Sequence, residues 1–221
     1  AVILLASITL LAAIVLSVLR TLVLPRSARD PITGFLFQAL RKLFAIRLRF
    51  AKTYAQSDGV MAYYAPVAML LLVPVWLLLT LLAFAGIFWA TGVESAYEAF
   101  ALSGSSIFTL GFKVDNTWLH MVFAFMEAGM GMMIVALLIG YLPTMYSAFS
   151  TREAAVNQLD VRSGTPPSVA EAIIRAHGIG KLNNLTSFWR EWELLFTQIA
   201  ESHTTLPALV FFRSPHRDRS W

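Results

Sequence analysis

The residues whose types and spacing could do chemistry cluster between positions 94 and 127. Glu94 to Thr109 reads E-S-A-Y-E-A-F-A-L-S-G-S-S-I-F-T, an apolar, helix-like stretch. Glu94 and Glu98 stand at its start, where a helix dipole favours acids. The stretch is too short to cross a bilayer, and it breaks into Thr109, Leu110, Gly111 and Phe112. Irregular backbone survives at membrane depth only when it is buried in protein or lines a wet cavity. A short helix broken in this way, between two apolar spans, predicts a re-entrant segment. Lys113 and Asp115 follow at once, and Glu127 sits alone in the next apolar stretch. An acid there is expensive to bury and by default functional. It could hydrogen-bond irregular backbone or the hydroxyls of Ser105 and Ser106, or attract a cation. Catalytic patterns are absent from the sequence: there is no H-E-x-x-H, no G-x-S-x-G and no glycine-rich phosphate loop. The chain has no cysteine, which excludes disulfides, thiolate chemistry and Cys-containing zinc sites. His177, His203 and His216 have neither metal spacing nor an acid three or four residues away. Neither an enzyme, a cofactor nor a resident metal is expected.

The elements that must position this cluster follow from hydropathy. Of the 221 residues, 57% are hydrophobic and 14% charged, with a mean hydropathy of +0.67. Soluble domains are about 45–50% apolar and about 25% charged, so much of this surface is built to face lipid. Three runs approach the ~20 apolar residues a membrane helix needs. Ala1 to Leu19 is uncharged, Pro66 to Trp89 forms the core of a second run with Pro74 inside it, and Trp118 to Tyr141 forms the third. The net charge is +4. In so apolar a chain, basic residues mark cytoplasmic loops and anionic headgroups rather than nucleic acid. Pro25 to Ala65 holds seven basic residues (Arg26, Arg29, Arg41, Lys42, Arg47, Arg49, Lys52) against Asp30 and Asp58. Gly92 to Thr117 holds one, Lys113, against Glu94, Glu98 and Asp115. Lys/Arg excess puts the first loop inside, and hence the N-terminus and second loop outside and the C-terminus inside. Within the first loop, Phe35 to Lys52 alternates apolar and basic residues, as an amphipathic helix on the inner surface would. Arg41, Arg47 and Arg49 do not keep the three-residue spacing of a voltage sensor.

Span, short helix, T-L-G-F and span together resemble the two-transmembrane pore module of potassium channels, and the bacterial members in particular. The resemblance covers roughly Pro66 to Phe149, and the stretch from Tyr141, Y-L-P-T-M-Y-S-A-F, adds to it. That family carries T-V-G-Y-G, with T-x-G-F variants, and its filter carbonyls replace the hydration shell of the ion. The resemblance implies that Thr109 offers hydroxyl and carbonyl, and that Leu110, Gly111 and Phe112 offer carbonyls. It implies an outer mouth at Lys113 and Asp115, with Glu127 and Ser106 behind the filter or in the cavity. It also implies a permeant potassium ion and a homotetramer, since one chain has one pore loop. The family's fifth position is glycine, whereas this chain has Lys113. If Lys113 rings the mouth, it is expected to turn from the axis toward a carboxylate. In the family the inner helix bends at a glycine, and Gly129 or Gly131 fits that hinge. Close packing of helices through small residues is the other reading of both.

The expected architecture is an all-α integral membrane protein. Residues 1–24 form an N-terminal transmembrane helix and 25–65 a basic amphipathic segment. Residues 66–149 form the pore module, with re-entrant pore helix and filter loop between the last two spans. Residues 150–221 form a helical cytoplasmic tail. A bend or membrane exit is expected at Pro143. Ser150 with Glu153, and Ser168 with Glu171, fit helix-starting capping boxes. Ser163 to Ser168 reads as a linker, and Trp189, Trp192, Leu195, Phe196 and Ile199 form an apolar helical stripe. The natural chain is expected to extend past Trp221, and the lack of an initial Met leaves room for residues before Ala1. The expected function is a monovalent-cation channel of the cell's inner (plasma) membrane. The competing one is a membrane sensor or scaffold whose tail binds a partner.

Overall fold

The computed structural model describes residues 1–24, 30–50, 53–164, 168–180 and 185–205. Among them every regular element is helical. Arg26, Arg29, Lys52, His216 and residues 165–167 of the expected 163–168 linker lie outside the described residues, as do the side chains of Asp58 and His203. The helices are α1 (Val2–Val18, extended by a π turn over Leu19–Val23), α2 (Pro31–Leu48), α3 (Tyr54–Ala62) and α4 (Tyr64–Ala90), then α5 (Ala96–Ile107), α6 (Trp118–Ser163), α7 (Val169–Gly178) and α8 (Leu185–Thr205). Three segments are long and apolar enough to cross a membrane: Val2–Val23, Gly59–Ala90 and Trp118–Ser163. The first reaches past Leu19 and takes in Arg20.

Contacts divide the chain into two compact units, Ala1–Tyr141 and the residues from Leu142 onward. In the first, α1 lies against α4. Gly86 permits this approach, because a Cβ there would stand 2.1 Å from Ser7 Oγ. The same pair is tied by a buried polar relay in which Trp76 Nε1 donates to Ser17 Oγ at 3.0 Å and Ser17 donates to Asp30 Oδ2 at 2.7 Å. Asp30 Oδ2 also caps α2 by accepting the Thr33 amide at 2.7 Å, just ahead of Pro31. Where lipid offers no partners, a relay that satisfies each group is strongly favoured over leaving one open. Farther along α2, Leu40 packs with Tyr64 and Ala68, and Tyr64 donates to Phe37 O at 2.9 Å. The helix expected over Phe35–Lys52 thus exists as α2 and is bound to the foot of α4.

The second signature does start a helix, because Ser168 accepts the Glu171 amide at the head of α7, but the return half of the box is not made: the Ser168 amide donates to Ser163 O and Glu171 accepts from Arg175. The first does not start one. Ser150 and Glu153 lie inside α6, which continues through Pro143 to Ser163. A capping box starts a helix only where the preceding residues leave helical geometry, and here residues 144–149 stay helical. Proline removes one amide donor but does not by itself end a helix in an apolar setting.

Candidate functional site

The expected short helix is α5. Ser95 caps it by accepting the Glu98 amide at 3.1 Å, and Glu98 lies in its first turn. Its 12 residues span about 18 Å, against about 30 Å of hydrocarbon. Ala99 and Leu102 sit in a core with Phe84, Ile87 and Phe88 of α4, closed by Phe123, Ala124 and Met130 of α6. The helix ends in two tightening bonds, Thr109 N to Ser106 O at 3.0 Å and Leu110 N to Ser105 O at 2.9 Å. Thr109 then adopts φ 53° and Gly111 φ 71°, and the side chains of Leu110 and Phe112 point outward. A β-branched residue at positive φ is a real outlier and costs about 1–3 kcal/mol. No hydrogen bond among the described residues reaches the carbonyls of Thr109, Leu110, Gly111 or Phe112. The Thr109 hydroxyl donates back to Phe108 O at 2.8 Å.

Both ends of this loop are held. The nearly buried Ser105 hydroxyl donates to Lys113 O and accepts the Lys113 amide, both at 3.0 Å. One serine therefore replaces the backbone partner Lys113 would otherwise lack. The Lys113 ammonium pairs with the Glu98 carboxylate, the carboxylate partner looked for in the sequence. The Glu98 hydrogen bond raises the Lys113 ammonium above its ordinary value, with Glu94 and Asp115 adding to it. Asp115 accepts the Thr117 amide and faces His120 Nδ1, each at 2.8 Å. The Thr117 amide first, and then His120, push the Asp115 carboxyl down to about 2. His120 Nε2 stands 3.0 Å from Thr91 Oγ1, which donates to Ile87 O at 2.8 Å, so the chain after the loop is tied to the end of α4.

Behind the loop, Glu127 is wholly buried. Its partner is neither Ser105, which is used on Lys113, nor Ser106, which donates to Leu102 O within its own helix at 2.9 Å. Glu127 Oε1 meets Ser103 Oγ, and Ser103 donates to Leu81 O at 2.8 Å. A hydroxyl has one proton and here faces two oxygens. With that proton on Leu81 O, the contact of Ser103 with Glu127 Oε1 is a hydrogen bond only when the carboxyl donates, and Glu127 Oε2 is buried without a partner among the described residues. The pair bridges α4, α5 and α6. The two glycines differ. A Cβ on Gly131 would stand 2.8 Å from Ile107 O at the end of α5, whereas one on Gly129 would meet nothing within 4 Å. Gly131 is therefore a close-packing glycine, and only Gly129 has room.

The structure brings together Glu98 with Lys113, Asp115 with His120, and the whole 109–113 loop with α5. Thr91, Ser103 and His120 were not singled out in the sequence. His120 lies five residues past Asp115, outside the helical spacing that would flag a pair. Among the described residues no group of three or more metal-ligating side chains is gathered. Comparison with known protein families, with curated proteins and with solved structures finds no match to this chain.

Proposed function

We propose that this chain is one subunit of a homotetrameric channel for monovalent cations, potassium foremost, with Thr109 to Phe112 as its filter. One observation carries the reading: four successive carbonyls without partners, on a loop fixed at both ends. Backbone carbonyls require partners, and carbonyl rings are the means by which such pores replace ion hydration. The φ sign alternates from Thr109 to Phe112, a geometry in which successive carbonyls can share one side. α5 ends at Ile107 immediately before the loop, so the negative end of its dipole favours a cation there.

A single loop offers carbonyls from one direction only, so the ion needs further copies around it. The exposed row of Met121, Phe125, Met126, Met132 and Met133 on α6 gives those copies an apolar face. In this reading α5 and the filter lie outside and α2 with the C-terminal unit inside, at the inner (plasma) membrane, which the Lys/Arg excess of the first loop supports. In this reading Glu127 braces the pore helix rather than binding the ion, and the outer mouth at Lys113 is neutralised by Glu98.

Particle symmetry in detergent tests assembly. Four-fold particles are expected, and a monomer or dimer would favour a membrane sensor or scaffold instead. Cysteines at Ala96 and Ala45 test orientation: external reagent should label position 96 and spare position 45.

A further inference from the structure

The C-terminal unit contains a cavity of about 610 Å³ between the α6 turns from Pro143 to Arg152 and the α8 turns from Leu195 to Ser202. Small-ligand sites commonly occupy about 300–1,000 Å³. Its polar lining is made of hydroxyls and amide (Thr144, Ser147, Thr151, Gln198, Ser202) together with one cation, Arg152. Arg152 Nη2 donates to Ser202 Oγ, and Ser202 donates onward to Ile199 O at 3.0 Å. The serine thus fixes the guanidinium with its lone pair. Arg152 Nε is buried without a partner, and none of the described carboxylates pairs with the group. A guanidinium keeps its charge and has five donors, so four remain to be placed. A half-buried cation is costly without an opposite charge. Arginine's planar fork matches phosphate oxygens in pairs.

We propose that this cavity binds a phosphate ester, with Arg152 as its anchor, Ser147 lining the phosphate end, and Pro143, Leu195 and Ile199 taking an apolar portion; the Thr151 hydroxyl already donates to Ser147 O at 3.0 Å. The cavity is far larger than a bare phosphate, and these three side chains give it an apolar wall. The site stands apart from the pore reading, since all its residues lie in the second unit. The phosphate can come from a lipid headgroup or from a soluble ester, and two probes separate these sources.

The test is native mass spectrometry of the purified full chain in detergent, titrated with phosphatidate or with phenyl phosphate, and with diacylglycerol, which lacks the phosphate, as reference. Binding of either probe above the reference is expected. Phosphatidate alone identifies a lipid site, and phenyl phosphate identifies a soluble one. Arg152→Gln should weaken binding at least about tenfold, as loss of a charged hydrogen bond does. Arg175→Gln, whose cation is already paired with Glu171, should leave it unchanged. Should Arg152→Gln fail to fold, Arg152→Lys decides: it keeps the charge, loses the fork, and should still bind several-fold more weakly. Binding no tighter than the reference, or equal binding by the Arg152 variant and the wild type, overturns the proposal.

Discussion

Ser105→Ala removes the latch that fixes the far end of the 109–113 loop, the proposed filter. Two hydrogen bonds are lost, the one Ser105 Oγ donates to Lys113 O and the one it accepts from Lys113 N. A net hydrogen bond contributes about 1 kcal/mol, and leaving a half-buried partner open adds to the loss, so the two together cost about 2–3 kcal/mol. The latched population should fall about 30- to 150-fold relative to open forms. Amide hydrogen exchange reads this directly, because the Lys113 amide has Ser105 Oγ as its partner. Its protection should drop by that factor while the α6 amides from Met121 to Gly131 keep theirs. Cation flux should fall with it, since a filter with a loose end does not hold its carbonyls in register. Unchanged exchange at Lys113 would refute the latch. Lost protection along α6 as well would show general unfolding instead.

Gly131→Ala forces a Cβ to 2.8 Å from Ile107 O and should lower stability by about 1–3 kcal/mol in detergent melting. Gly129→Ala meets nothing and should stay within about 0.5 kcal/mol of wild type or gain stability. The Asp115 carboxyl titrates at about 2 rather than 3.8, so its contribution is full above about pH 4 and is lost as pH falls toward 2. Trp118 fluorescence should report that acid limb in the wild type, and Asp115→Asn should erase it. Lys113→Gly frees Glu98 and puts glycine where the filter of potassium channels carries it. Cation flux should rise, most at low salt, where the Debye length is about 30 Å rather than about 8 Å.

The apolar runs were legible because lipid demands a continuous stretch of apolar residues, and the cap at Ser168 was legible because capping is local, whereas the Ser95 cap of α5 was missed although Glu98 stands at the same spacing. The same signature at Ser150 misled, since nothing local in it reveals that the preceding turns remain helical. The polar partners were not legible. Ser105 and Ser106 are chemically alike, but about 100° of helix rotation aims one at Lys113 and the other along its own helix. Gly129 and Gly131 are about 200° apart, so one meets Ile107 and the other open space. Glu127 finds Ser103 rather than its expected partners because only Ser103 combines the right face of α5 with a lone pair still free. The Trp76 to Ser17 bond spans 59 positions, which no spacing rule anticipates.

Potassium flux into liposomes containing the purified chain measures most directly whether Thr109 to Phe112 conducts cations. Wild type should carry flux with potassium preferred over sodium. Gly111→Asp should abolish it in protein that still assembles, because the substitution puts a charged side chain where φ is 71° and the backbone must approach the ion. Absence of flux in correctly assembled wild type, or undiminished flux in Gly111→Asp, would contradict the claim.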